Sequence, residues 1–178
     1  MFFLKEEQIK KLLNFTIKEN NVIKALKLPQ EIFLPLLFSI RYGGDWSLKK
    51  DSKKLMSVKE KLTKYDENKK VGYTLELIYL FVNPILISEF GKIYRMEKCS
   101  NNNERKLVER PYKVTIDGEY ILKATLDPKS MKILLKHLKG PLSFTGSGAY
   151  GVSHEIEHLN HDEIKGIPFY DFEYVLEK

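Results

Sequence analysis

The spacing of apolar residues predicts a mixture of helices and strands in the first quarter of the chain. From Lys5 to Asn20 apolar side chains recur every three or four residues, which predicts a surface helix with one buried face. Residues 31–40 are mostly apolar but include Pro35, so we interpret them as a buried strand or short apolar segment with an irregularity. Residues 42–45, with the sequence Y-G-G-D, predict a turn.

The middle of the chain favours strands. Residues 73–87 are dense in large apolar side chains and are interrupted at Asn83-Pro84, which predicts a core strand leading into a turn. Residues 91–99 predict a second strand. The strongest hairpin signal comes from residues 105–116 and 119–126, joined at Asp117-Gly118.

Two helices are predicted in the last third. Asp127-Pro128 is typical of a helix start, and the apolar spacing that follows predicts a helix through Lys139, ended by Gly140-Pro141. The final helix follows the glycine-rich segment 144–153.

The motif His154-Glu-Ile-Glu-His158 carries the candidate chemistry. Residues four apart on a helix share a face about 6 Å apart, so both imidazoles could bind one divalent ion while Glu155 reaches its bound water. The motif therefore predicts a hydrolytic metal site. The alternative is an amphipathic helix whose histidines are only polar surface.

A catalytic divalent site needs a third protein ligand and one open position for water. His161 lies three residues after His158 and would share the helix face, but ligands spread along two turns seldom converge on one ion. Cys99, the one cysteine of the chain, is predicted near the end of a strand, and its thiolate is a strong ligand. We favour Cys99 and so predict a site of Cys99, His154 and His158.

These residues resemble motifs of the peptide deformylase family. That family carries a motif close to Q-H-E-x-D-H-L-x-G, which is similar to S-H-E-I-E-H-L-N at residues 153–160. Its cysteine motif, E-G-C-L-S, resembles E-K-C-S at residues 97–100, and its glycine-rich first motif has a faint counterpart at residues 23–30. The resemblance runs from about Leu77 to Phe172.

The resemblance implies an α+β fold, with antiparallel and mixed sheets packed around a central helix that carries the H-E-x-x-H motif, and an N-terminal helix. It implies a single domain of residues 1–178 with a lysine-rich insertion at 48–70. The implied function is removal of the N-formyl group from formyl-methionyl peptides of nascent proteins by a metal-bound hydroxide. The implied ion is iron(II), with zinc or nickel as substitutes.

The resemblance also implies the roles of individual residues. Glu155 would act as general base and then acid, and the Gln30 side chain and the Ser100 backbone N–H would donate to the developing oxyanion. Glu157 would orient a ligand imidazole or be a plain surface carboxylate. Glu97 and Arg110 would form a supporting ion pair, contact the peptide backbone, or have only a structural role in the sheet.

Two other functions stay open. A zincin-type metallopeptidase would use His154 and His158 with a downstream ligand, His161 or Glu163, and leave Cys99 uninvolved. A catalytically impaired descendant of the deformylase fold would bind metal or the ribosome without turnover, because the first motif and the cysteine motif depart from the family pattern.

Composition adds the cellular context. A chain of 178 residues with 43% apolar content can bury the core of one globular domain. Neither a membrane span nor a signal peptide is recognisable, which predicts a cytoplasmic protein that acts on neither membrane nor DNA.

The net charge of +6 is concentrated in residues 48–70. A lysine run of this kind is most often a solvated face, and the alternative is a salt-sensitive contact with ribosomal RNA. The lysines are Lys49, Lys50, Lys53, Lys54, Lys59, Lys61, Lys64, Lys69 and Lys70.

Overall fold

Three antiparallel sheets form most of the structure, a computed structural model in which residues 21–98, 104–127, 132–161 and 163–168 are described. The strands are β1 Trp46–Lys50, β2 Lys53–Asp66, β3 Val71–Val82, β4 Ile85–Phe90, β5 Ile93–Lys98, β6 Arg105–Arg110, β7 Lys113–Asp117, β8 Tyr120–Asp127, β9 Lys132–Leu138, β10 Leu142–Thr145 and β11 Ile167–Pro168. The helices are α1 Asn21–Leu26, a 3-10 helix Gln30–Phe33, α2 Leu34–Tyr42 and α3 Ser147–Asn160.

The largest sheet has five strands in the order β1-β2-β3-β8-β9. Its centre is the long hairpin of β2 and β3, which pair from Leu55 with Val82 to Asp66 with Val71. The two smaller sheets have the orders β10-β7-β4 and β11-β6-β5.

Two hydrophobic cores lie on opposite faces of the five-stranded sheet, because side chains alternate along a strand. On β3, Ile78 and Leu80 pack against α2, while Phe81 packs on the other face against Phe144 of β10 and Val152 of α3. The sheet therefore holds α2 on one side and α3 on the other, and α3 carries part of the candidate site.

The predicted fold class is wrong. The described chain is mostly β-sheet in three antiparallel sheets, rather than an α+β fold organised around a central helix. The strand-forming character of residues 46–66 is underestimated from sequence because the lysine-rich segment reads as polar surface. In the structure its lysines flank the buried run 55–58 of β2, which includes Leu55 and Met56, and most of the lysines are exposed.

Residues 31–40 form helix rather than the predicted strand. Pro35 stands in the first turn of α2, where its missing N–H costs no hydrogen bond, so it starts the helix instead of breaking a strand. The carbonyl of Pro35 accepts a hydrogen bond from the buried Ser57 hydroxyl at 2.8 Å, which ties α2 to β2.

The predicted helix from Asp127 to Lys139 is also wrong, because residues 132–138 form β9 and pair with β8. The run Ile133-Leu134-Leu135 fits either a helical or a strand pattern. In the strand, Ile133 and Leu135 pack toward the α2 core, and Leu134 points outward with 62% of its surface exposed. Pairing with an available sheet edge decided between the two patterns.

The hairpin predicted around Asp117-Gly118 does not form. The segments before and after it are strands, but β7 pairs with β4 and β10 while β8 pairs with β3 and β9. Asp117-Gly118 thus connects two different sheets. The strands predicted at 73–87 and 91–99 are present as β3, β4 and β5.

The helix predicted for Lys5–Asn20 lies outside the described residues. In the part of the chain that the structure describes, no helix is long and apolar enough to span a membrane.

Candidate active site

A cleft of about 360 Å³ opens between β5 and α3. Arg95 and Glu97 of β5 line one wall, and His154 and Glu155 of α3 line the other. Asp45, which directly precedes β1, also lines the cleft. Such a polar cleft with converging carboxylates is a candidate for catalysis.

Asp45 follows a glycine turn that side-chain hydrogen bonds hold in place. Gly43 and Gly44 adopt φ angles of 76° and 73°, a region that glycine enters without strain. Ser39 Oγ donates to the Gly44 carbonyl at 2.9 Å, and Trp46 Nε1 donates to the Gly43 carbonyl at 2.7 Å. The Asp45 carboxylate itself is also fixed, because its Oδ1 accepts the Lys59 backbone N–H at 2.7 Å.

Asp45 also packs directly on helix α3. A Cβ added at Gly151 would collide with Asp45 Oδ2, so only glycine leaves room for the carboxylate at this turn of the helix. One turn earlier, a Cβ at Gly148 would collide with Glu60 Oε1. The glycine-rich start of α3 therefore lets two carboxylates approach the helix backbone.

Glu155 is the most deeply buried acid of the cleft, with 5% of its surface exposed. Burial raises its pKa to about 7, the negative charge of Asp45 adds to this rise, and a hydrogen bond with Ser47 and the charge of His154 oppose it. Burial likewise raises the pKa of Asp45, and the hydrogen bond from Lys59 N–H partly offsets the rise. Two carboxyl groups with raised pKa values thus share one cleft.

A second charge cluster lies behind the β5 wall. The Arg110 guanidinium, 4% exposed, binds Glu97 through Nη2 at 2.7 Å and Glu157 through Nη1 at 2.8 Å. Glu97 Oε2 also lies 2.8 Å from His154 Nδ1. Burial acts to raise the pKa of Glu97, but the hydrogen bonds from His154 and Arg110 outweigh it and lower the pKa to about 2.

The structure places some of the residues predicted for a metal site together. His154 and His158 lie one turn apart on α3 with their Nε2 atoms 3.1 Å apart, and Glu155 is adjacent. Gln30 is exposed in the 3-10 helix and does not line the cleft. Cys99 and Ser100 lie outside the described residues.

No complete site for the predicted metal ion lies within the described residues. Among the described residues, no group of three His, Cys, Asp or Glu side chains is placed to hold one. His161 lies at the end of α3, and Glu163 pairs with Lys106 at 3.5 Å. Because Cys99 lies outside the described residues, the set of Cys99, His154 and His158 stays a prediction.

Comparison with known proteins decides the family. A protein-family model described as RimB-like, retropepsin-like aspartic endopeptidase RimB, matches residues 33–137, more than half of the chain. The chain belongs to the RimB-like family. The matched segment of this RimB-like chain contains Asp45, Glu97 and Arg110 but ends before α3. A search of curated proteins and of solved structures gives no significant match.

RimB-like membership overturns the resemblance to peptide deformylase. Metal-dependent deformylation is therefore wrong as the function, and the zincin-type and impaired-deformylase alternatives are not supported. The H-E-x-x-H motif fixes only three positions and arises readily by chance on a polar helix, so it carried too much of the inference. The predicted formylated-peptide partner loses its basis with the function, and the lysine-rich contact with ribosomal RNA stays a prediction.

Asp45 is the functional candidate that the sequence interpretation missed. Its signal was present, since a carboxylate directly after two glycines and before a strand is a place where the backbone can present a reactive group. The turn was predicted but the carboxylate was not singled out. Of the roles left open for Glu97 and Arg110, the structure shows the ion pair.

Proposed function

We propose that this RimB-like chain hydrolyses peptide bonds by an aspartic-type mechanism in which Asp45 and Glu155 form the carboxylate pair. The observation that carries the proposal is the presence of both carboxyl groups, each with a raised pKa, in one cleft of a chain whose family is described as an aspartic endopeptidase. Aspartic peptidases work with two carboxyl groups that share a proton.

The different surroundings of the two groups support a division of roles. Glu155 is buried and has a pKa of about 7, so it holds its proton in mildly acidic solution. Asp45 accepts a backbone N–H and faces the positive charges of His154 and Lys59, which favour its ionised form. Asp45 is therefore assigned as the base and Glu155 as the acid.

The proposed reaction needs one water molecule and no covalent intermediate. The Asp45 carboxylate takes a proton from water as the water oxygen bonds to the scissile carbonyl carbon, and Glu155 gives its proton to the carbonyl oxygen. The resulting tetrahedral diol collapses when its C–N bond breaks and the leaving nitrogen takes the proton held by Asp45. One diol hydroxyl returns its proton to Glu155, which restores the starting pair.

The proposal is tested with an unfolded protein as substrate. Purified protein is incubated with denatured casein between pH 4 and 9, and the fragments are identified by mass spectrometry. We expect internal cleavage that Glu155→Gln removes and that EDTA leaves unchanged, because no step uses a metal ion. Absence of internal cleavage by the wild type, or cleavage that EDTA abolishes, contradicts the proposal.

The pH profile follows from the raised pKa of Glu155. As pH rises through about 7, Glu155 ionises, the acid is lost, and kcat/KM is expected to fall tenfold per pH unit. As pH falls below the pKa of Asp45, the base is protonated and kcat/KM falls again. The measurement is kcat/KM against pH with a fluorogenic peptide drawn from the mapped cleavage site, and a rate that still increases above pH 8 contradicts the assignment.

Gly151→Ala tests the close approach of Asp45 to α3. Alanine favours a helix by about 1 kcal/mol over glycine, which offsets part of the cost of the collision with Asp45, so the fold is expected to persist. The new methyl group displaces the Asp45 carboxylate, and kcat/KM is expected to fall by roughly tenfold to a hundredfold. Gly72→Ala in β3 is the control, because a Cβ there meets only ordinary contacts of 3.8 Å or more. Equal activity of Gly151→Ala and wild type would remove Asp45 from the reacting pair.

A further inference from the structure

Arg110 joins three elements behind the cleft. Its Nε lies 3.1 Å and its Nη2 2.7 Å from the Glu97 carboxylate on β5, and its Nη1 lies 2.8 Å from Glu157 on α3. A planar guanidinium bound to two carboxylates fixes direction as well as distance. The two N–H groups that Arg110 directs at Glu97 therefore hold that carboxylate in one orientation.

Glu97 in turn fixes the ring of His154. An ionised carboxylate only accepts hydrogen bonds, so the proton of the 2.8 Å contact lies on His154 Nδ1. The other ring nitrogen, Nε2, lies 3.1 Å from His158 Nε2, and a hydrogen bond there needs one proton between the two atoms. Both nitrogens of His154 are thus engaged within the protein, and neither is left to exchange a proton with a substrate.

His154 also lies beside the carboxylate pair. It precedes Glu155 on α3, lines the same cleft as Asp45, and interacts electrostatically with both carboxyl groups. We infer that Glu97, anchored by Arg110, is a positioning residue for the carboxylate pair and acts by fixing the orientation of His154. This inference rests on the proposed function, since the pair it serves is the proposed catalytic pair.

A matched pair of substitutions separates positioning from simple support. Glu97→Gln and Glu157→Gln each remove one negative charge from Arg110, but only Glu97 contacts His154. Glu157 also accepts the Lys165 backbone N–H at 2.8 Å, which glutamine preserves. We expect kcat to fall about tenfold in Glu97→Gln and less than about twofold in Glu157→Gln, with KM nearly unchanged in both.

The second readout does not depend on activity. In nitrogen-15 NMR spectra of the imidazoles, Glu97→Gln is expected to change the Nδ1 and Nε2 signals of His154, and Glu157→Gln to leave them in place. A direct contact of Glu97 with substrate predicts a raised KM instead, and this result overturns the inference. Unchanged His154 signals in Glu97→Gln, or an equal loss of kcat in the two variants, also overturns it.

The two proposals fail in different ways. If the wild type cleaves no peptide and the His154 signals still depend on Glu97, the proposed peptidase function fails while the coupling of Glu97 to His154 stands. If the wild type is an active peptidase and the two variants behave alike in both assays, the positioning role fails and the proposed function stands.

Discussion

Replacing Asp45 by asparagine is expected to lower kcat/KM for peptide cleavage by at least about a thousandfold, because the base of the proposed pair is removed. Asparagine keeps the shape of the side chain, and its amide oxygen can still accept the Lys59 N–H that Asp45 Oδ1 accepts at 2.7 Å. The fold should therefore persist. The measurement is kcat/KM at pH 6 together with the far-ultraviolet circular dichroism spectrum.

The control for this variant is Asp51→Asn. Asp51 is exposed in the turn between β1 and β2 with φ 53°, a backbone conformation that asparagine adopts about as readily as aspartate. We expect no change in its activity. Retention of more than a tenth of the wild-type activity by Asp45→Asn would exclude Asp45 as the base.

The Asp45→Asn variant is also expected to change the pKa of Glu155. The negative charge of Asp45 contributes to the raised pKa of Glu155, second to burial. Its removal should lower the pKa of Glu155 from about 7 without returning it to the ordinary range, because burial remains. Carbon-13 NMR of the labelled Glu155 carboxyl measures this, and an unchanged pKa would show that the two carboxyl groups do not interact.

Arg110→Met is expected to lower the free energy of unfolding by about 3–5 kcal/mol at neutral pH, the usual cost of removing one member of a buried ion-pair cluster. The guanidinium is 4% exposed and faces two carboxylates that are 11% and 13% exposed, Glu97 and Glu157. Without it, both negative charges stay buried with weaker partners. Urea denaturation measures the change, and the melting temperature should fall by on the order of 10 °C.

The loss of stability caused by Arg110→Met should become smaller as the pH falls. The folded-state pKa of Glu97 is lowered to about 2, so the stability that it contributes is present above its unfolded pKa of about 4.5 and is lost as pH falls toward about 2. The difference between wild type and Arg110→Met should therefore shrink at pH 3. Arg105→Met, an exposed arginine at the start of β6, should change stability by less than about 0.5 kcal/mol. An equal loss in the two variants would contradict the buried cluster.

The apolar pattern determined many of the strands but not how they pair. Residues 73–87, 91–99 and 105–126 were recognisable as strands because their large apolar side chains are local features. The pairing at Asp117-Gly118 was predicted wrongly, since a turn signal does not say which sheet each flanking strand joins. For residues 132–138 the local pattern fitted a helix equally well, and only the free edge of β8 selected the strand.

The candidate site depended still more on tertiary structure. The sequence by itself determined that Glu155 stands beside two histidines one helical turn apart, and that residues 42–45 form a glycine turn. Only the fold brought these carboxyl groups, 110 positions apart in the chain, into one cleft, where burial is the largest cause of their raised pKa values. Burial and long-range contact belong to the packed molecule, so no local pattern of residues could reveal them.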